Sequence, residues 1–483
     1  MARCRHHEVC GLDGLGDADL CILHSEDPEK DTMQFWEAFN CHRRSTGDTF
    51  FRFVFPRDCD FISTKFEKGA NFANAVFNED AQFYHANFIG GANFRHAIFG
   101  GRADFGRVEF KGAADFSDAK FHGDALFYRA SFVGTDYFGG ALHQAQLHPS
   151  EPSVPTCADF FGAKFNSDAS FSEAGFTDAP DFRSIKFAKA ASFYATVFQD
   201  RPNFSRVRFQ DKANFVRTRF RHGIVFTGST FGKTCILASE RDEDHNFVIF
   251  SGTQVDFNWV IIEPDCKLIF RDADLRKCQF LGTDLRNIEF TNVIWPQVVS
   301  SGCCINIGED RIGIYDEVLF LEGQPVPLIH IEKAYRELKQ NYEDRRDYDR
   351  AGDFHYGEKE MRRINVETSL QLRSILTVYG IVSGYGERYL RPLAWTFLLF
   401  ICSTVGYLSF GLHSKQMDRQ LVWGNMWDRL TAGLYSLRVM SLLSPEDLVP
   451  VNWWGFLVQT IDNLFGPALI GLFLLALRQR LKR

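Results

Sequence analysis

The sequence predicts a β-solenoid followed by an α-helical hairpin and a two-helix transmembrane domain, and three observations carry that prediction. Phenylalanine makes up 50 of the 483 residues, and from Phe61 to Phe231 it recurs at alternating steps of five and six. A charged segment with helical spacing follows between Ile331 and Asn365. Two apolar runs, near residues 393–412 and 453–477, are each long enough to cross a hydrocarbon core of about 30 Å.

The ladder opens Phe61, Phe66, Phe72, Phe77, Phe83, Phe88, Phe94, Phe99, continues to Phe132, and resumes from Phe160 to Phe231. A later block keeps a strict step of five: Phe270, Leu275, Phe280, Leu285, Phe290, Trp295. A fixed short period marks a solenoid, in which each unit buries its apolar face only against its neighbours. Eleven residues could also be three helical turns. The glycines between the rings oppose that, since each costs a helix roughly 1 kcal/mol. Alanine recurs two positions before many rings (Ala70, Ala75, Ala81, Ala86, Ala92), so large and small side chains alternate toward one interior, as a narrow square tube requires. Asn, Asp and Gly supply the turns between faces. The ladder breaks over Gly139 to Thr156 and Lys233 to Asn246, which read as loops thrown out from the rod.

Ala92-Asn93-Phe94, Ala213-Asn214-Phe215, Ala273-Asp274-Leu275 and Thr283-Asp284-Leu285 resemble the unit of the pentapeptide-repeat family, Ala-Asp/Asn-Leu/Phe-X-X. The resemblance covers Phe61 to Trp295 and implies a right-handed quadrilateral β-helix across a domain of residues 50–300. The extra residue in every second unit implies a wider corner and a coil of about 22 residues; some ten coils at about 4.8 Å make a rod on the order of 50 Å long. Some family members imitate DNA, which needs a dense acidic stripe. Here Arg95, Arg102, Arg107 and Lys111, then Lys186, Lys189, Arg206, Arg208, Arg217, Arg219 and Arg221, interleave with acids, and the net charge is only -7. The aromatics are committed to the core, so no nucleic-acid partner is expected either.

Residues 1–45 hold Cys4, Cys10, Cys21 and His24, with little apolar sequence between them. A structural zinc on three thiolates and an imidazole would supply the missing folding energy. The competing reading is a disordered tail with incidental thiols. His6, His7, Cys41 and His42 are spare candidates. Twelve cysteines without regular pairing, and a polar start without a signal peptide, predict a cytoplasmic rod.

Within residues 301–368, Tyr335, Leu338 and Tyr342 share one helical face, as do Tyr348, Ala351 and Phe354 or His355, which predicts two helices joined near Arg345 to Asp347. The acids Glu343, Asp344, Asp347 and Asp353 with His355 read as a solvated face. No nucleophile elbow, phosphate loop or paired-carboxylate site occurs, so no enzyme is expected. The stretch resembles the connector between repeats and membrane segments in many membrane-bound pentapeptide-repeat proteins.

In residues 369–483, Arg388 and Arg391 precede the first apolar run, and Arg478, Arg480, Lys482 and Arg483 follow the second. The positive-inside rule puts both termini of this two-span, multi-pass protein in the cytoplasm. Trp395, Trp453 and Trp454 suit the interfaces, and Ser369 to Tyr385 suits the inner surface. The loop between the runs is similar to that of two-span potassium channels: Asp447 and Pro450 match in identity and spacing, with Ala432 to Met440 as a pore helix. Ser444-Pro445-Glu446 replaces Gly-Tyr-Gly, whose carbonyls make potassium selectivity. In a tetramer, Glu446 and Asp447 would instead form an acidic ring favouring cations. Gly384-Tyr385-Gly386, before the first run, reads as a turn. Asp462 is costly in lipid and should face a partner helix or water. Gly466-Pro467 reads as a hinge or a packing kink.

Two functions remain open on the sequence. One is an oligomeric ion-channel-like pore in the lipid bilayer, with a cytoplasmic β-helix that senses or docks an unidentified protein partner. The other is a non-conducting, membrane-tethered interaction scaffold.

Overall fold

Phe55, Phe77, Phe99, Phe121, Phe165, Phe187, Phe209 and Phe231 stand in one column, each on a two-residue strand paired in parallel with its counterpart one coil on. This is seen in a computed structural model that describes residues 3–15, 19–27, 29–133, 158–239, 249–299, 310–415, 418–443 and 447–481. The chain divides into two units: Met1–Pro296 with Ile314–Gln324, and Gln297–Gly313 with Pro325–Arg483.

The first unit is the solenoid. Among the described residues, its four faces are parallel sheets of nine, ten and seven strands, and a fourth of four and three strands joined by single bridges at Asp159, Asp181, Asn203 and Val225. Val54 pairs with Val76 and Ala81 with Ala103, a register of one 22-residue coil. In the last coils Phe270 pairs with Phe290, and the coil shortens to 20 as the strict five-step block takes over. The phenylalanines are fully buried and fill the bore. Phe77 and Phe99 stack at 4.8 Å and 1°, whereas Phe83 meets Phe94 edge-on at 5.4 Å and 84°. Each buried ring is worth about 1.5–3 kcal/mol in transfer alone, and each aromatic pair about 0.5–1.5 more.

The corners explain the small polar residues. Asn71, Asn93, Asp104, Asp115 and Asp159 each accept the backbone N–H two residues on, closing a side-chain turn. The next corner residue is left-handed: Asn74, His85, His96, Arg107, Asp118 and Arg129 have φ between 53° and 63°. Such backbone costs a non-glycine residue about 1–2 kcal/mol, which the stacked core offsets.

Both ends are covered. A one-turn helix α1 (His7–Cys10) and a 15-residue helix α2 (Thr32–Thr46) precede the first coil. Asp31 caps α2 by accepting from Met33 N and Gln34 N. Phe39 stacks on Phe50 at 4.9 Å and Phe35 meets Phe55 at 5.5 Å, so α2 closes the open end of the bore. The core therefore begins at Phe50, at the start expected for the domain of residues 50–300 and ahead of Phe61, the first ring of the regular ladder. At the other end, α3 (Tyr315–Leu321) brings Asp316 to accept from Phe280 N at 3.0 Å.

One expectation is corrected. Lys233 to Asn246 does not leave the rod at its start, because Thr234–Ala238 is a five-residue strand paired with Lys267–Arg271. Cys235 and Leu237 point into the core there, Cys235 in the column that alanine holds in the preceding coil and Leu237 opposite Phe270. Residues 240–248, and the Gly139 to Thr156 loop, lie outside the described residues.

In the second unit, strands Gln297–Val299 and Asp310–Ile312 form an antiparallel pair. Helices α4 (Leu328–Asp344) and α5 (Tyr348–Ile364), 17 residues each, make a hairpin with Tyr342 on Phe354 at 5.3 Å. Gly357 is required by this packing, since a Cβ there would stand 2.8 Å from the Tyr335 ring. Then come α6 (Leu370–Ser383), α7 (Leu390–Phe410, 21 residues), α8 (Met426–Met440, 15 residues) and α9 (Trp453–Leu481, 29 residues). By length and composition, α7 and α9 can each cross a membrane. Helix α8 starts six residues before the Ala432 expected, because Asn425 caps it at Trp427 N and Arg419 pairs with Asp428 in its first turn at 2.7 Å.

Candidate functional site

Three places hold concentrated chemistry: the amino-terminal cysteines, the junction between α5 and α7, and the seam of α7, α8 and α9.

Cys4, Cys10, Cys21 and His24 come together, their four ligand atoms within 4.8 Å of one another and all four residues buried. Cys21 Sγ lies 3.7 Å from Cys10 Sγ and 3.2 Å from His24 Nδ1, and Cys4 Sγ lies 3.6 Å from that nitrogen. Ligands about 2.0–2.3 Å from a tetrahedral ion stand at such separations, so the donor set can hold a metal ion. Orientation agrees: His24 turns Nε2 to the Phe51 carbonyl at 3.2 Å, leaving Nδ1 for the cluster. Backbone N–H groups of His6 and Cys21 donate to Cys4 Sγ. Burial pushes the Cys21 thiol up to about 12, with Cys10 adding to it. Burial lowers His24 to about 4, so the imidazole is neutral at pH 7. Of the spare candidates, His42 instead bonds the Thr49 carbonyl at 2.7 Å and Cys41 is exposed.

Of the connector acids read as a solvated face, Glu343 and Asp344 are exposed, whereas Asp353 is tied into structure. Asp353 accepts from Ile312 N and from Arg388, each at 3.2 Å. Burial alone would raise Glu358, but His355 3.8 Å away and the charges of Lys359 and Lys339 outweigh that and hold it at about 2. Gly384-Tyr385-Gly386 is a turn, with Tyr385 left-handed at φ 56° and fully buried. Its hydroxyl donates to Glu360 at 2.7 Å, and Arg363 holds the same carboxylate at 2.5 Å. Arg391 donates to the Gly380 carbonyl at 2.9 Å. The start of α7 is thereby bolted to α5 and α6.

At the seam, Ser436 meets Asp462 and Met440 meets Gly466, so α8 runs alongside α9 in the same direction and opposite to α7. A Cβ on Gly466 would stand 2.8 Å from Met440 Cα; glycine is what lets the end of α8 reach α9. Gly466 lies roughly 20 Å along α9 from Trp453, at 1.5 Å per residue. Yet Leu448–Pro450 is back where α7 ends and α9 begins, paired with Leu412–Ser414. Met440 at the end of α8 thus stands well along α9, while Leu448 stands back near the start of α9. Pro450 pairs with Leu412, and the exposed Asp447 accepts at its carbonyl from Lys415 N at 2.9 Å. Ser444 and Glu446 lie outside the described residues. Pro467 sits inside a continuous α9.

Asp462 is completely buried. It accepts from Ser403 at 2.5 Å and Tyr407 at 3.1 Å on α7, and from Ser436 at 3.1 Å on α8. These three hydroxyls were not singled out in the sequence. The signal available was the spacing of Ser403 and Tyr407, one helical turn apart on one face of an apolar helix.

Comparison with known families places a match to the model described as Pentapeptide repeats (9 copies) at residues 50–98 and 94–142. No curated protein matches the chain, and no solved structure does.

Proposed function

From a pentapeptide-repeat β-solenoid joined to two apolar helices, we propose that the protein is membrane-anchored and forms an oligomeric ion-channel-like pore, with the solenoid as its cytoplasmic sensing or docking rod. The observation that carries this reading is the re-entrant path: α8 seated on Gly466 part-way along α9, and the chain returning to pair Leu448–Pro450 with Leu412–Ser414. Irregular backbone at bilayer depth is tolerated only when protein covers it or it lines water. One hairpin cannot cover it. Trp427, Leu430, Leu434 and Leu437 leave one face of α8 exposed, suited to neighbouring copies around an axis. Four copies would set Asp447 and Glu446 in an acidic ring. The carbonyl end of α8, carrying roughly half a negative charge, would favour a cation below it. The arginines at Arg388, Arg391 and Arg478 support cytoplasmic termini.

For the Cys4, Cys10, Cys21 and His24 cluster we propose a structural zinc. Its donors are all from the chain, which leaves no open position for chemistry.

Planar-bilayer recording of the purified protein tests the pore. Currents whose cation preference falls with Asp447→Asn or Glu446→Gln support it. Silence from protein that inserts, or a persistent monomer on cross-linking in membranes, removes the pore and leaves the tethered scaffold.

A further inference from the structure

Serine and threonine hydroxyls in α7, α8 and α9 mostly satisfy themselves locally. Thr396, Thr404, Thr431, Ser441 and Thr460 each donate to the carbonyl four residues back, at 2.7–2.9 Å. Ser403 and Ser436 break that pattern and turn to Asp462. Tyr407 joins them, its ring held edge-on to Tyr435 at 4.9 Å and 87°. One carboxylate, with no exposed surface, so collects a donor from each helix facing it.

We infer that Asp462 is the positioning residue of the re-entrant segment: it fixes the depth and rotation of α8 by joining it to α7 and α9 at a single point. The inference rests on the re-entrant reading given above. Three donors need three lone pairs on one small group, which a carboxylate supplies and an amide oxygen alone does not. A helix held only by apolar contact can slide or turn in lipid, which is as apolar as leucine; a polar tie cannot slip without leaving hydroxyls and a carboxylate unpaired. Gly466, one turn beyond Asp462, holds α8 close enough for the tie to form. The groups facing Asp462 are Ser403 and Tyr407 from α7, and Ser436 from α8, with Tyr435 behind them. The ionisable ones among these are tyrosines. The tie therefore works through hydrogen bonds rather than an ion pair.

Backbone hydrogen exchange of the full-length protein in lipid nanodiscs tests this. Ser436→Ala, which removes only the donor on α8, should speed exchange of α8 amides around residues 433–440 about tenfold. Ser436→Thr, which keeps the hydroxyl, should restore wild-type exchange. Tyr407→Phe should give a smaller increase with the ring contact kept, and Thr404→Ala, a hydroxyl outside the tie, none. Asp462→Asn should match or exceed Ser436→Ala; if it does not insert, the serine and tyrosine variants carry the test. Exchange within twofold of wild type in both Ser436→Ala and Tyr407→Phe overturns the assignment, whatever currents are seen. Loosened α8 in a protein that never conducts upholds the positioning role and removes only the pore.

Discussion

Phe72 and Phe94 lie one coil apart in sequence, and their rings stack at 4.8 Å, 1° from parallel. The same phenylalanine repeats that contact on its other side, with Phe94 on Phe116 at 4.9 Å and 5°. A ring in this bore thus has stacking partners above and below and edge-on partners across, such as Phe83 and Phe105 at 5.4 and 5.3 Å. Phe94→Ala removes these four contacts, with those to Phe88 and Phe99, and opens a cavity that rigid neighbouring coils cannot fill. It should cost about 3–5 kcal/mol. Ile62, which is exposed, should tolerate alanine within about 0.5 kcal/mol. Thermal unfolding followed by circular dichroism compares them, and equal midpoints would contradict the stacked core.

The solenoid also carries a column of carboxylates. Asp115 pairs in register with Asp159, and Asp159 bridges to Asp181. Burial, then the charge of Asp115, raises Asp159 to about 7. Because the folded value is above the unfolded one, its stabilising contribution is full below about pH 4 and is lost as pH rises through 7. Asp159→Asn keeps the oxygen that accepts from Phe161 N and abolishes the titration. It should therefore be more stable than wild type at pH 8, by on the order of 1–3 kcal/mol, and equal to it near pH 4. Melting curves across pH 4–8 measure the difference; a parallel offset at every pH would count against it.

The phenylalanine ladder was legible because every coil repeats the same burial problem. The N-terminal cap was less so: Phe35 and Phe39 do work no repeat shows, since they meet the bore only at its end. Thr234–Ala238 escaped notice because Leu237 stands where the ladder would put a ring, and Cys235 where the coil before carries alanine. The four candidate zinc ligands could be named from spacing, but that His24 would present Nδ1, with Nε2 on Phe51, depends on a turn of chain absent from any motif. Asp462 stood out by its cost in an apolar run. Its partners did not, because serine in a helix usually bonds its own backbone, and only the crossing of three helices turns Ser403 and Ser436 away from it.

If the cluster holds zinc, purified protein should contain about one equivalent per chain, and Cys21→Ser with His24→Ala should contain none. Leu23, between two of the ligands, accepts from Val54 N on the first strand. Loss of the metal should therefore loosen the chain before Phe55 while leaving later coils intact. Limited proteolysis with and without a chelator reads this directly. Metal-free protein with full protection of the N-terminal segment would contradict the assignment.

Gly466 offers a test in which two effects of opposite sign compete. Replacing a mid-helix glycine by alanine ordinarily stabilises the helix by up to about 1 kcal/mol. At Gly471 a Cβ meets nothing within 4 Å, so Gly471→Ala should show that gain. At Gly466 the same atom would stand 2.8 Å from Met440 Cα and Cβ, and a backbone carbon cannot swing aside as a side chain can. Helix α8 must shift, at a cost of about 1–3 kcal/mol for overpacking, which exceeds the propensity gain. Gly466→Ala should thus be destabilising, and Gly466→Leu more so, in equilibrium unfolding in mixed micelles. The shift should also lengthen the Ser436–Asp462 bond, so combining Gly466→Ala with Ser436→Ala should cost less than the two single changes added together. Strict additivity would mean that the close approach at Gly466 and the tie at Asp462 hold α8 independently.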